Sequence, residues 1–125
     1  MRVDPIRSHG VQLLQSHSRE EAGWTIVEVA GQLDVATAPE FRQVLLEAQY
    51  GGASQVLVDV AGIEFVDSMG LGVLIGAHKR ARSHDGAALV LARPSERMRH
   101  LLALTGLDTV LVTVADPDEV LGARS

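Results

Sequence analysis

The stretch Gly62-Ile63-Glu64-Phe65-Val66-Asp67-Ser68-Met69-Gly70-Leu71-Gly72-Val73-Leu74-Ile75-Gly76 decides how this chain folds. Just before it, Gln55–Val60 is an almost unbroken apolar run, as expected of an interior strand covered on both faces. That strand is predicted to end at Val60 and to pass through a short turn into Asp67-Ser68. Short polar side chains suit a helix start because they satisfy backbone N–H groups that lack intrahelical partners. The helix they introduce is punctuated by glycine and is apolar on more than one side. At about 100° per residue, Leu71, Leu74, Ile75 and His78 form a core-facing stripe. Met69, Val73, Gly76 and Ala77 fall on the opposite side, with no charge until Lys79. A helix apolar all round needs cover all round. One face packs on the sheet, and the other is predicted to dock a partner. Gly72 and Gly76, four residues apart, leave that backbone open to close approach. The plain alternative is that Ser68 is only an N-cap, with Met69 and Val73 covered by the chain's own N-terminal segment.

Outward from this stretch, the chain reads as one domain. Its 125 residues suffice for a single core, and 46% hydrophobic with 22% charged content is that of an ordinary globular protein. With only 3% aromatics, the core is built from Val, Leu, Ile and Ala. The absence of cysteine rules out disulfides, thiolate metal sites and thiol catalysis. Sixteen acidic against eleven basic residues give a net charge of −5, a field that opposes nucleic acid. No apolar run approaches the ~20 residues of a membrane span. Met1–Gly10 lacks an apolar signal core. The expectation is a cytoplasmic protein with neither nucleic acid nor membrane among its partners.

Residues 1–10, with Pro5 and Gly10, read as a flexible lead-in, and residues 11–125 as the domain. Val11–Gln15 is predicted as a first strand, Ser18–Gly23 as a turn and Trp24–Ala30 as a second strand, together an antiparallel hairpin. Thr37-Ala38-Pro39-Glu40 has the spacing of a capping box. Phe41, Val44, Leu45 and Ala48 stripe the helix that follows, and Gly51-Gly52 stops it. After the Asp67-Ser68 helix come a strand at Ala87–Ala92, a helix opened by Pro94 and ended by Gly106, a strand at Thr109–Thr113, and a short helix from Asp116-Pro117. The order ββαβαβαβα implies an α/β fold: a mixed, mostly parallel sheet with about four helices and right-handed crossovers.

Catalytic patterns are poorly matched. Val66-Asp67-Ser68-Met69-Gly70 lacks the first glycine of a hydrolase nucleophile elbow. The glycines from Gly70 to Gly76 lack the lysine and hydroxyl of a phosphate loop. His9, His17, His78, His84 and His100 have no ligand spacing, and His78 reads as a core histidine with one hydrogen-bond partner. Asp34, Asp59 and Asp67 fall near strand ends, where such sheets gather their sites, and act there as caps and turn formers or as a Mg2+ cluster.

Gly31-Gln32-Leu33-Asp34-Val35-Ala36-Thr37-Ala38-Pro39-Glu40-Phe41 resembles the first signature of STAS domains, the bacterial anti-sigma factor antagonists. Val58-Asp59 and Phe65–Leu74 resemble the second, and Leu101–Leu107 the closing segment. The likeness spans roughly Gln12 to Leu121. It implies a STAS-type domain that is not an enzyme and needs no cofactor or metal. Its implied partners are an anti-sigma factor serine/threonine kinase and a PP2C-type phosphatase, with a homodimer as a further candidate. Ser68 is the implied phosphoacceptor, with Asp34 and Asp67 as nearby polar contacts. The partner-binding residues expected are then Asp34, Asp67, Met69, Gly70, Gly72, Val73, Gly76 and Ala77. Met69 stands where many relatives carry a second small residue, and Gln32 replaces a common Glu. The other roles weighed are an unphosphorylated STAS subunit of a lipid-transport or stress-sensing assembly, and a small hydrolase using Ser68.

Overall fold

The computed structural model describes residues 14–122; the expected lead-in, residues 1–10, lies outside them. Five strands form one sheet in sequence order: β1 (Leu14–Glu21), β2 (Trp24–Leu33), β3 (Gln55–Val66), β4 (Ala88–Ala92) and β5 (Val112–Val114). The first pair is antiparallel and the other three are parallel. Helices α1 (Ala38–Gly51), α2 (Ser68–Arg82), α3 (Glu96–Thr105) and α4 (Asp118–Leu121) make the crossovers and the C-terminal cover. The predicted element order and mixed sheet are those observed.

The hairpin is longer than predicted. β1 continues through Ser18 to Glu21, and the turn is only Ala22-Gly23, both at positive φ (55° and 84°). Such a turn matches the twist of the strands it joins. Except for Leu14, β1 shows its side chains to solvent, so no apolar alternation marked it in sequence. Pairing with β2 holds it there, aided by an Arg19–Glu28 ion pair at 2.8 Å.

The layers follow from strand periodicity. Val27, Val29, Val56, Val58, Leu89 and Leu91 face Phe41 and Leu45 of α1, Leu71, Leu74 and Ala77 of α2, and Met98 and Leu102 of α3. Trp24, Ile26, Leu57, Val90 and Ala92 line the other face, against Val120 and Leu121 around α4. β3, buried on both sides, is the spine of the sheet.

β3 does not stop at Val60. It runs to Val66 beside β2, and its register slips twice, between Glu28 and Ala30 and between Gly31 and Gln32 of β2. Each slip gives β3 an extra residue, which bends a strand and sharpens its twist. Gly62 sits at the first, where a Cβ would stand 2.8 Å from the Cβ of Ala30. The lengthened strand carries Asp67 and Ser68 to the edge where β2 also ends.

Candidate functional site

Two loops meet at that edge. The Asp67 N–H donates to the Leu33 carbonyl at 3.0 Å, tying the start of α2 to the end of β2. Asp34 shapes the second loop: its Oδ1 accepts from the N–H groups of Ala36 (3.0 Å) and Thr37 (3.1 Å). The Thr37 hydroxyl donates to the Gln32 carbonyl at 2.8 Å and accepts from the Asp34 N–H at 3.0 Å. The capping box expected of Thr37 and Glu40 is therefore not formed, because the hydroxyl is engaged upstream and Thr37 makes no side-chain cap.

The cap of α2 is Asp67. Its Oδ1 accepts from Met69 N (2.8 Å) and Gly70 N (3.2 Å), anchoring the positive end of the helix dipole. Ser68 is the first helical residue, exposed, with its hydroxyl in no hydrogen bond among the described residues. Capping and hydroxyl are thus separated onto adjacent residues. Three large apolar side chains on the second loop, the end of β3 and the start of α2 stand in water: Val35 (66% exposed), Phe65 (43%) and Met69 (50%).

Helix α2 is turned differently from the predicted stripe. Its buried residues are Gly70, Leu71, Leu74, Ala77 and Ala81, while Ile75 and His78 are only half-buried. Two residues expected on the docking face are thereby corrected. Ala77 is wholly buried, and its carbonyl accepts from Gln49 Nε2 at 2.9 Å. Gly70 is pressed on β2, where a Cβ would stand 2.6 Å from the Leu33 carbonyl oxygen. That close approach fixes the helix rotation. Its rotation leaves Met69 and Gly72 exposed and Val73 and Gly76 half-buried. His78 forms no hydrogen bond among the described residues.

Those four residues, Ser68 and Arg80 form one wall of a groove of about 460 Å³, and Ala38, Pro39 and Arg42 of α1 form the other. Arg42 and Arg80 were not singled out from sequence. Arg80 Nε donates to Gln49 Oε1 at 2.9 Å, but its Nη2 is buried without an acceptor among the described residues. Burial first, and then the charge of Arg42, lowers the pKa of Arg80.

The third aspartate is elsewhere. Asp59 lies on the opposite sheet face, 5% exposed, and accepts from Arg93 Nε (3.2 Å) and Nη2 (2.5 Å). The hydrogen bond to Asp59, then its charge, raises the pKa of Arg93. Asp34, Asp59 and Asp67 do not converge, and no metal-holding carboxylate or histidine group occurs among the described residues.

The STAS domain profile matches residues 15–119. An anti-sigma-B factor antagonist of Staphylococcus epidermidis is 36% identical over 85 residues, 68% of this chain and 78% of that protein. An anti-sigma factor antagonist from Mycobacterium paratuberculosis has a similar fold, with TM-score 0.79 and 23% identity over 88% of this chain and 92% of that one. The phosphorylated form of Bacillus SpoIIAA also has it, with TM-score 0.64 and 18% identity over 85% of this chain and 96% of that one. Profile, relative and fold agree: the chain belongs to the STAS domain family.

Proposed function

We propose that the chain is an anti-sigma factor antagonist that docks on an anti-sigma factor serine/threonine kinase through the Ser68 edge and is released when Ser68 is phosphorylated. In the transfer, the Ser68 oxygen bonds to the γ-phosphorus of ATP, ADP leaves, and the hydroxyl proton passes to a base on the kinase. A PP2C-type phosphatase hydrolyses the ester and restores the docking form, so that sigma factor release follows the unmodified fraction. The observation that carries this reading is the exposed hydroxyl of Ser68, in no hydrogen bond among the described residues and one residue past a cap supplied by Asp67. The S. epidermidis relative, an anti-sigma-B factor antagonist, supports the same role.

The physical basis of the switch is local. Phosphorylation adds about −1.5 to −2 charges at neutral pH. At the first residue of α2, backbone N–H groups and the helix dipole face that charge, so the fold tolerates it. A partner covering Val35, Phe65 and Met69 would have to desolvate it beside Asp67, at several kcal/mol unless a cation meets it. The direct test incubates the chain with a candidate kinase and ATP. A gain of one phosphoryl mass, absent in Ser68→Ala, supports the proposal; tight binding with no mass gain favours a permanent interface instead.

A further inference from the structure

The kinase interface proposed above leaves the groove between α1 and α2 unexplained, and three observations bear on it. The first is the pair Gly72 and Gly76. Glycine inside a helix costs about 1 kcal/mol relative to alanine. For Gly70 the reason is internal, since the Leu33 backbone leaves no room. Gly72 has no such reason: among the described residues a Cβ there would meet nothing within 4 Å, and one at Gly76 would meet only Arg80 Nη1 at 3.7 Å. The two glycines keep the groove floor bare.

The second observation is charge. Arg42 and Arg80 line the same groove as Ser68; the Arg80 backbone lies about 18 Å from Ser68 along α2 at 1.5 Å per residue, and its Nη1 reaches back to 3.7 Å from where a Gly76 Cβ would stand. Arg80 spends Nε on Gln49 and its Nη2 is buried without an acceptor among the described residues, so Nη1, beside Gly76, is the donor it offers a ligand. Two guanidinium groups bordering one apolar groove offer positive charge to an anion. The third observation is the surrounding field. The chain carries a net −5, which disfavours a polyanion but not a single carboxylate on an apolar segment.

Resting on the kinase reading, we propose that this groove is the second half of the partner interface: it receives an apolar segment of the kinase whose Asp or Glu carboxylate is met by Arg42 and Arg80. Met69, Val73 and Pro39 contact the apolar part, and the bare backbone at Gly72 and Gly76 lets it lie close. Ser68 then controls the contact at the start of α2 while the arginines hold the segment along the groove.

The test uses the kinase that co-purifies with the wild-type chain, and compares its affinity for Arg42→Glu, Arg42→Lys, Gly72→Leu and Ser68→Asp. Arg42 is exposed and in no hydrogen bond among the described residues, so its variants keep the wild-type unfolding midpoint. Arg42→Glu is expected to weaken binding at least about tenfold, with Arg42→Lys losing far less. Lysine substitution at one acidic residue of the kinase should restore the Arg42→Glu complex. Gly72→Leu, which fills the groove without altering charge, should also weaken binding. If Arg42→Glu and Gly72→Leu bind as wild type while Ser68→Asp does not, the groove proposal fails and the Ser68 reading stands. If Ser68→Asp also binds as wild type, the Ser68 reading fails with it. Self-association of the free chain that Arg42→Glu abolishes, with kinase affinity unchanged, would assign the groove to a second copy and overturn the proposal.

Discussion

Gly70 approaches Leu33 so closely that a Cβ on the glycine would lie 2.6 Å from the Leu33 carbonyl oxygen and 2.7 Å from its Cβ. That carbonyl also accepts the Asp67 N–H at 3.0 Å, so a single residue of β2 seats both the helix start and its first turn. Gly70→Ala must push α2 off the sheet. It should destabilise the domain by roughly 1–3 kcal/mol, read as a lower urea midpoint, and should disturb the presentation of Ser68.

Gly72 should behave in the opposite way. Its Cβ position is open, so Gly72→Ala is expected to raise stability by about 0.5–1 kcal/mol through helix propensity alone. Thermal unfolding of Gly70→Ala and Gly72→Ala side by side would separate a packing glycine from one with no internal role.

Asp67 holds two N–H groups of the first turn. Asp67→Ala should cost about 0.5–2 kcal/mol, and Asp67→Asn, which still caps, much less. Ser68→Ala should be nearly neutral in the same urea titration, since the serine hydroxyl supports no hydrogen bond among the described residues.

On the far face of the sheet, Arg93 closes β4 at φ +58° while it holds the buried Asp59. Arg93→Ala leaves that carboxylate with the Ala61 N–H at 3.1 Å as its remaining donor among the described residues and retains the strained backbone. Because the arginine side chain is half exposed, solvent limits the loss to about 1–2 kcal/mol. Arg93→Gly loses the same ion pair but relaxes the backbone, and should recover up to about 1 kcal/mol of that loss. Equal unfolding midpoints for the two variants would contradict this.

The order of elements was legible because its signals are local: the apolar run at Gln55–Val60, the stripe from Phe41 to Ala48, and the glycine stops. Features set by tertiary contact were not. β1 is polar and exposed, so only its pairing with β2 marks it as a strand. The rotation of α2 depends on the Gly70–Leu33 approach, and periodicity alone placed Ala77 on the wrong side. Val35 and Phe65 are exposed, and nothing local in the sequence says that an apolar side chain stays in water. Arg42 and Arg80 lie far apart in sequence and become one feature only when α1 packs beside α2.

The central claim is that a phosphoryl group on Ser68 blocks association while leaving the domain folded. The most direct measurement is the affinity of one anti-sigma factor kinase for the unmodified and the enzymatically phosphorylated chain, with circular dichroism spectra of both. The account predicts binding weakened about a hundredfold, equivalent to ~3 kcal/mol, with superimposable spectra and unfolding midpoints. Equal affinities, or a phosphorylated chain that loses its fold, would contradict it.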